Sequence, residues 1–201
     1  MPLSTYAELK AAIGAWSFNR SDLPAADLVV LGEARFNRDL RLRAMEAEAA
    51  LAVTPGQRTA DLPAGYIAPL GLWRETVAGR AQIRRVAGPI ETSTQPGLPA
   101  FWTVQGGAVG FERPCDQPCV FTLRYLRRLA LSDAEPTNWL LDNHPDAYLA
   151  AALVEAALWA ADEEQALRWQ ARYQAAIDAI NSREARSREA PLRTEASEMA
   201  G

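Results

Sequence analysis

Apolar residues recur at helical spacing near the start of the chain and again over its last third, with short or alternating apolar runs between. Thr5 followed by Glu8 predicts a capping box. Tyr6, Leu9, Ile13 and Trp16 then share one face of a helix over about 5–17. Asp22 ahead of Leu23-Pro24 marks a second helix start, because proline suits a first helical turn. That helix is predicted to run to about Arg43, burying Leu28, Val29, Leu31, Gly32, Phe36 and Leu40. From residue 44 the period drops to two, and Met45 to Thr54 reads as a strand. Eight of the 13 prolines lie between 55 and 118, which excludes a long helix there. Gly106-Gly107 predicts a hairpin joining Phe101–Val104 to Val109–Phe111. A second hairpin is predicted from Phe111, through a turn at Pro114–Pro118, to Val120–Tyr125.

Helical spacing resumes after residue 131. Asn143-His144-Pro145-Asp146 is a helix start, and Tyr148 to Ala161 carries Leu149, Leu153, Ala156 and Ala160 on one stripe. Asp162 caps a further helix with Trp169, Tyr173, Ala176 or Ile177, and Ile180 facing the core. Residues 182–201 alternate Arg, Glu, Ser and Ala without an apolar stripe and read as an extended, solvated C-terminal tail. The expected fold is α+β: an antiparallel helical bundle built from both ends of the chain (about 5–43 and 133–181) with a central β-rich insertion (about 44–130). Residues 1–181 form a single domain on this reading.

Composition narrows the class. The 201 residues, 49% apolar and 23% charged, suffice for a buried core and exclude a disordered chain, a collagen or a coiled-coil rod. No apolar run is long enough to span a membrane, and residues 1–6 lack the features of a secretory signal. The expected location is the bacterial cytoplasm or a particle assembled there. Net charge is −4, but residues 51–130 sum to +4 and 131–181 to −7. A net-acidic chain is a poor dedicated nucleic-acid binder, and the opposed halves read as the different solvated faces of two segments, with head-to-tail contact between copies as the other reading.

Candidate chemistry is sparse. His144, the single histidine, sits at a predicted helix start, where capping or packing is its default role. Cys115 and Cys119 flank a predicted turn. A zinc site needs further soft or imidazole ligands, and the spacing is not that of a redox Cys-x-x-Cys. The turn brings the two within reach of a disulfide, and a cytoplasmic route is expected to keep them reduced. Asp162-Glu163-Glu164 suits a helix N-terminus better than a metal cluster. Arg35, Arg38 and Arg41 share a helix flank and read as solvated or ion-paired. Trp16, Trp139, Trp159 and Trp169 read as bundle packing, with an interface anchor as the other role open to them. No catalytic, cofactor-binding or metal-ligating residue is nominated, no cofactor is expected, and nothing builds an enzyme.

Several phrases in order carry a resemblance. They are Thr5-Tyr6-Ala7-Glu8-Leu9-Lys10, Gly32-Glu33-Ala34-Arg35-Phe36-Asn37-Arg38-Asp39-Leu40-Arg41, Leu62-Pro63-Ala64-Gly65-Tyr66 and Val104-Gln105-Gly106-Gly107. Leu131-Ser132-Asp133 before Asn138-Trp139-Leu140-Leu141, then Asn143-His144-Pro145-Asp146-Ala147-Tyr148-Leu149 and Trp169-Gln170-Ala171-Arg172-Tyr173, complete the set. Together they resemble the head–tail adaptor (connector) proteins of tailed bacteriophages and of phage-derived gene transfer agents, over about 5–181. The resemblance implies a structural role: a homo-oligomeric ring, a dodecamer, at the head–tail junction of a virion or phage-like particle. The portal lies above the ring and a tail or stopper protein below. DNA passes through the lumen without sequence-specific binding, and no membrane is involved. It also implies that the helices pack against neighbouring copies while the β-rich part faces the tail. The alternative is a small DNA-binding or assembly-accessory protein of a phage-like gene cluster.

Overall fold

The computed structural model describes residues 3–20, 22–77 and 79–189. Two compact units emerge, one formed by Met1–Arg43 with Ala130–Gly201, the other by Ala44–Leu129.

The first unit is helical among its described residues: α1 (Tyr6–Trp16), α2 (Ala25–Asp39), α3 (Trp139–Asn143), α4 (Pro145–Trp159) and α5 (Glu163–Glu189). Thr5 and Glu8 make the capping box at α1. Asp162 caps α5 by accepting from the Gln165 amide at 3.0 Å. The hub is α4, which packs against α1, α2, α3 and α5. Its Ala147, Ala150, Ala151, Ala152, Ala156 and Ala157 are all buried. A helix surrounded on several sides needs small residues so that its neighbours can approach. At Gly32 of α2 an added Cβ would lie 3.2 Å from Ala151 Cβ and 3.3 Å from the Ala152 amide nitrogen. The alanine-rich helix thus serves close packing inside its own unit.

Polar groups tie this unit together at depth. Glu33 of α2, 5% exposed, accepts from the Leu131 amide at 2.7 Å and from the Tyr148 hydroxyl at 3.2 Å. Asn138 donates to the Tyr148 oxygen at 2.7 Å and caps α3 through the Leu141 amide at 3.0 Å. Arg35 pairs with Glu155 and donates to Gln170, and Tyr173 donates to Asp39 at 2.6 Å.

The second unit holds β1 (Glu46–Val53), β2 (Thr59–Asp61), β3 (Tyr66–Thr76), β4 (Gly79–Arg85), β5 (Phe101–Gln105), β6 (Ala108–Phe111) and β7 (Cys119–Arg127). They form one seven-stranded sheet in the order β1-β7-β3-β4-β5-β6-β2, antiparallel except for β4 with β5. The terminal strands β1 and β2 come close to one another, so the sheet nearly closes into a barrel. Its inward side chains form one core that includes Leu51, Val53, Leu72, Ile83, Trp102, Val109, Phe111, Phe121 and Leu123. Period-two alternation puts ion pairs on the other face: Arg124 with Glu46, and Arg80 with both Glu48 and Glu75. Trp73 lies over Gly71, where an added Cβ would come within 2.4 Å of the indole.

The expected architecture needs correction. The chain is not a helical bundle carrying a β-rich insertion; it is a mixed α+β fold with a nearly closed seven-stranded sheet that has its own core. The sequence reading underweights the sheet because β4 buries only Ile83 and β2 only Ala60, so neither shows an apolar stripe. The second expected hairpin is absent as well. β6 pairs with β5 and β2, while β7 pairs with β1 and β3. Residues 182–189 are the last turns of α5. Glu184 pairs with Arg188 one turn on and accepts from the Arg43 amide, so polar residues without a stripe still have reason to stay helical. The remainder of the expected tail, 190–201, lies outside the described residues. α2 stops at Asp39, because Leu40 turns extended, and Leu31 is 49% exposed rather than buried.

Candidate interaction surfaces

In the helical unit, α1 and α4 finish, and α5 begins, around a cavity of about 460 Å³. Its lining includes Trp16, Phe18, Leu23, Ala157, Trp169 and Arg172. The end of α1 is closed by a Schellman arrangement, with the Asn19 amide donating to the Gly14 carbonyl at 2.8 Å. The residue at the left-handed position is Phe18, at φ 60°, where glycine is the usual occupant. An L-residue there costs about 1–2 kcal/mol. Phe18 gains nothing from burial in return, since it is 87% exposed. The α4 terminus repeats the geometry: Asp162 donates to the Ala157 carbonyl at 2.9 Å, and Ala161 is left-handed at φ 56°. Among the described residues, the non-glycine positions with positive φ are Phe18, Asn19 and Ala161, all around this cavity or its rim. Strain of this kind gathers where surroundings enforce it for function.

The same region is rich in exposed aromatic surface. Trp16 is 55% exposed and Trp159 43%, with Leu158 and Leu167 also exposed. Trp16 meets Trp169 edge-on at 5.5 Å between centroids. Arg20 lies 4.8 Å above Trp159 and Arg172 4.6 Å above Trp169, so the apolar surface is edged by stacked guanidinium groups. Arg20 is also held by Asp22 at 2.9 Å.

The sheet unit offers a smaller apolar surface. A groove of about 450 Å³ is bordered by Arg74, Val77, Leu98, Pro118, Cys119 and Val120. Val77, Leu98 and Val120 are exposed. The irregular stretch between β4 and β5 is anchored by Glu112, 6% exposed, whose carboxylate accepts from the Ala100 and Phe101 amides at 2.8 and 3.0 Å. Of the arginines that make residues 51–130 basic, Arg80, Arg113 and Arg124 pair with carboxylates of the same unit.

The residues singled out by sequence are not brought together. His144 stands at the start of α4 without capping it, its ring 5.5 Å from Trp139. Asp162 caps α5, with Glu163 and Glu164 exposed in its first turn. Arg35 and Arg41 bind groups of their own unit: Glu155 and Gln170 for the first, the carbonyls of Asn37, Arg38 and Leu40 for the second. Cys115 and Cys119 are free and buried in the sheet core. Burial, then the neighbouring Cys119, pushes the Cys115 thiol up to about 12. Among the described residues no group of three or more His, Cys, Asp or Glu is placed to hold a metal. No described helix is long and apolar enough to cross a membrane. Sequence reasoning missed the surface at the cavity. Ser17-Phe18-Asn19 contains no glycine to announce a left-handed turn, and Trp16 continues an apolar stripe although it points outward.

Exposed aromatic surface of this kind is enriched where proteins meet one another. The comparison with known families agrees: the chain matches the family model described as SU10 adaptor protein over residues 4–195. It belongs to that family of phage head–tail adaptor proteins. No curated protein matches it.

Proposed function

We propose that this adaptor works without catalysis as one subunit of a twelve-membered ring at the head–tail junction. The ring sits beneath the portal of a DNA-filled capsid and above a tail or stopper protein. DNA passes through its lumen without sequence-specific binding. The particle, a virion or a gene transfer agent, is assembled in the bacterial cytoplasm. Family membership supports the adaptor role. The observation that carries the reading to named residues is Phe18, exposed and left-handed beside an open apolar cavity. A closed ring repeats one heterologous contact, so each copy must offer its neighbour the same surface. We assign the Trp16–Phe18–Trp169 end of the helical unit to the neighbouring copy, with Phe18 as an anchor of the type that dominates interfaces. The groove bordered by Val77, Leu98 and Val120 faces the tail.

The test is Phe18→Gly, with adaptor copies per portal counted on reconstituted capsids. The expected outcome is a folded subunit that fills the junction at least about tenfold less well, as an anchor worth more than 1.4 kcal/mol requires. Full occupancy by Phe18→Gly removes the assignment of this surface.

A further inference from the structure

The barrel core holds two thiols that the adaptor role does not use. Cys119 opens β7, opposite Val53 of β1, and is fixed by that ladder. Cys115 is fixed from the other side. Its carbonyl accepts from the Gly56 amide at 2.8 Å and its amide donates to the Gln57 carbonyl at 3.1 Å, so the turn after β1 holds its backbone. Both side chains lie in the same core cluster, 0% and 7% exposed, and Cys119 is near enough to help hold the proton on the Cys115 thiol. Neighbouring sulfurs on separately anchored backbone are the arrangement that a disulfide needs. They are also unequally reachable, because Cys119 borders the groove beside Leu98 and Val120, whereas Cys115 is sealed.

We propose that Cys115 and Cys119 are a latent disulfide pair, closed by a small oxidant that enters at Cys119, which then braces the barrel beside β1. With a peroxide as the oxidant, the Cys119 thiolate attacks one peroxide oxygen. The O–O bond breaks, the other oxygen leaves as water, and Cys119 becomes a sulfenic acid. Cys115 sulfur then attacks Cys119 sulfur, the S–O bond breaks, and a second water leaves. Both thiols together lose two electrons and two protons, and the peroxide gains them. The bond links the 115–118 segment, already tied to the turn at 56–57, to the first residue of β7. Deep burial makes the reduced pair slow to react, so the bond forms on prolonged exposure rather than during assembly.

The experiment uses the full chain, treated with hydrogen peroxide and compared with a dithiothreitol-reduced control. The expected result is loss of both thiols to titration in denaturant, and an intact mass lower by two hydrogens. A melting temperature several degrees higher, reversed by dithiothreitol, should accompany it. Cys115→Ser should instead retain a Cys119 sulfenic acid that dimedone traps, and Cys119→Ser should react far more slowly than either. Two titratable thiols in the treated wild-type protein, or oxygen adducts in place of the mass loss, overturn the proposal. The wild-type measurement decides even if a serine variant fails to fold.

Discussion

The two units solve the same packing problem with opposite materials. The sheet unit fills its barrel with Trp102, Phe111, Phe121 and aliphatic residues, and places the ion pairs of Arg80 and Arg124 on the other face. The helical unit wraps an alanine-rich hub and threads a carboxylate, a tyrosine and an asparagine through its interior. They differ in charge too: residues 44–129 carry nine basic and seven acidic groups, the rest of the chain twelve and eighteen. The larger aromatic surface is left open on the helical unit, at turns whose backbone is strained. Both units bury an apolar core; the helical one adds a buried carboxylate network and strained helix ends, and exposes the larger aromatic surface.

Breaking the sheet core should have the largest effect. Trp102 is fully buried and donates its indole N–H to the Ile83 carbonyl at 3.1 Å. Trp102→Ala should cost about 3–5 kcal/mol, from lost burial and the cavity left behind. Chemical denaturation followed by the remaining tryptophans checks this; a loss below 1 kcal/mol means the barrel can collapse around the gap.

The matching break in the helical unit is electrostatic. Glu33→Ala leaves the Leu131 amide without its carboxylate and removes the acceptor of the Tyr148 hydroxyl. Each buried polar group left unsatisfied costs about 1–3 kcal/mol, so the expected loss is about 2–4 kcal/mol. Glu33→Gln keeps an acceptor oxygen and should recover roughly half. If both variants melt like the parent, water replaces the carboxylate and the knot is not structural.

How much of this was legible before the structure depends on what each element does with its side chains. α1, β7, the β5–β6 hairpin and the caps at Thr5 and Asp162 announce themselves, because a periodic face or a capping oxygen is a local property. β4 and β2 do not, since strands closing a barrel near its rim need bury only one side chain each. The end of α5 reads as a tail in the sequence because its support comes from Arg41 and Arg43, far away along the chain. The site was the least legible part. Phe18 in a left-handed turn contradicts local preference, so only the folded backbone reveals it.

Alkaline pH offers a smaller and more selective comparison. Burial raises the Tyr148 and Tyr173 hydroxyls of the helical unit well above the ordinary tyrosine value, the adjoining carboxylates of Glu33 and Asp39 adding to it. The folded state therefore keeps protons that the unfolded chain gives up above about pH 10. The stability these groups contribute is complete below that pH and is lost as pH rises toward their folded values, by up to about 1.4 kcal/mol per pH unit for each group. Cys115 does the same for the sheet unit, beginning nearer pH 8.5, the ordinary thiol value. Melting curves between pH 8 and 11 should show the thiol contribution vanish in Cys115→Ser, and the later fall lessen in Tyr148→Phe. An unchanged alkaline slope in Tyr148→Phe means another group drives it.

The smallest expected effect separates strain that serves a partner from strain that serves nothing. Ala161 and Phe18 occupy equivalent left-handed positions after α4 and α1, and glycine relieves both. Ala161→Gly and Phe18→Gly should each gain up to about 1 kcal/mol by that relief, less the greater freedom that glycine gives the unfolded chain. Their assembly phenotypes should then diverge. Ala161 contributes only a methyl group and a turn, so Ala161→Gly should fill the head–tail junction like the parent. Phe18→Gly, equally relieved, should not. Because the two variants share one backbone change, a failure confined to Phe18→Gly assigns the loss to the ring and not to the turn. If Ala161→Gly fails equally, the strained backbone itself is what the neighbour recognises, and the aromatic ring is incidental.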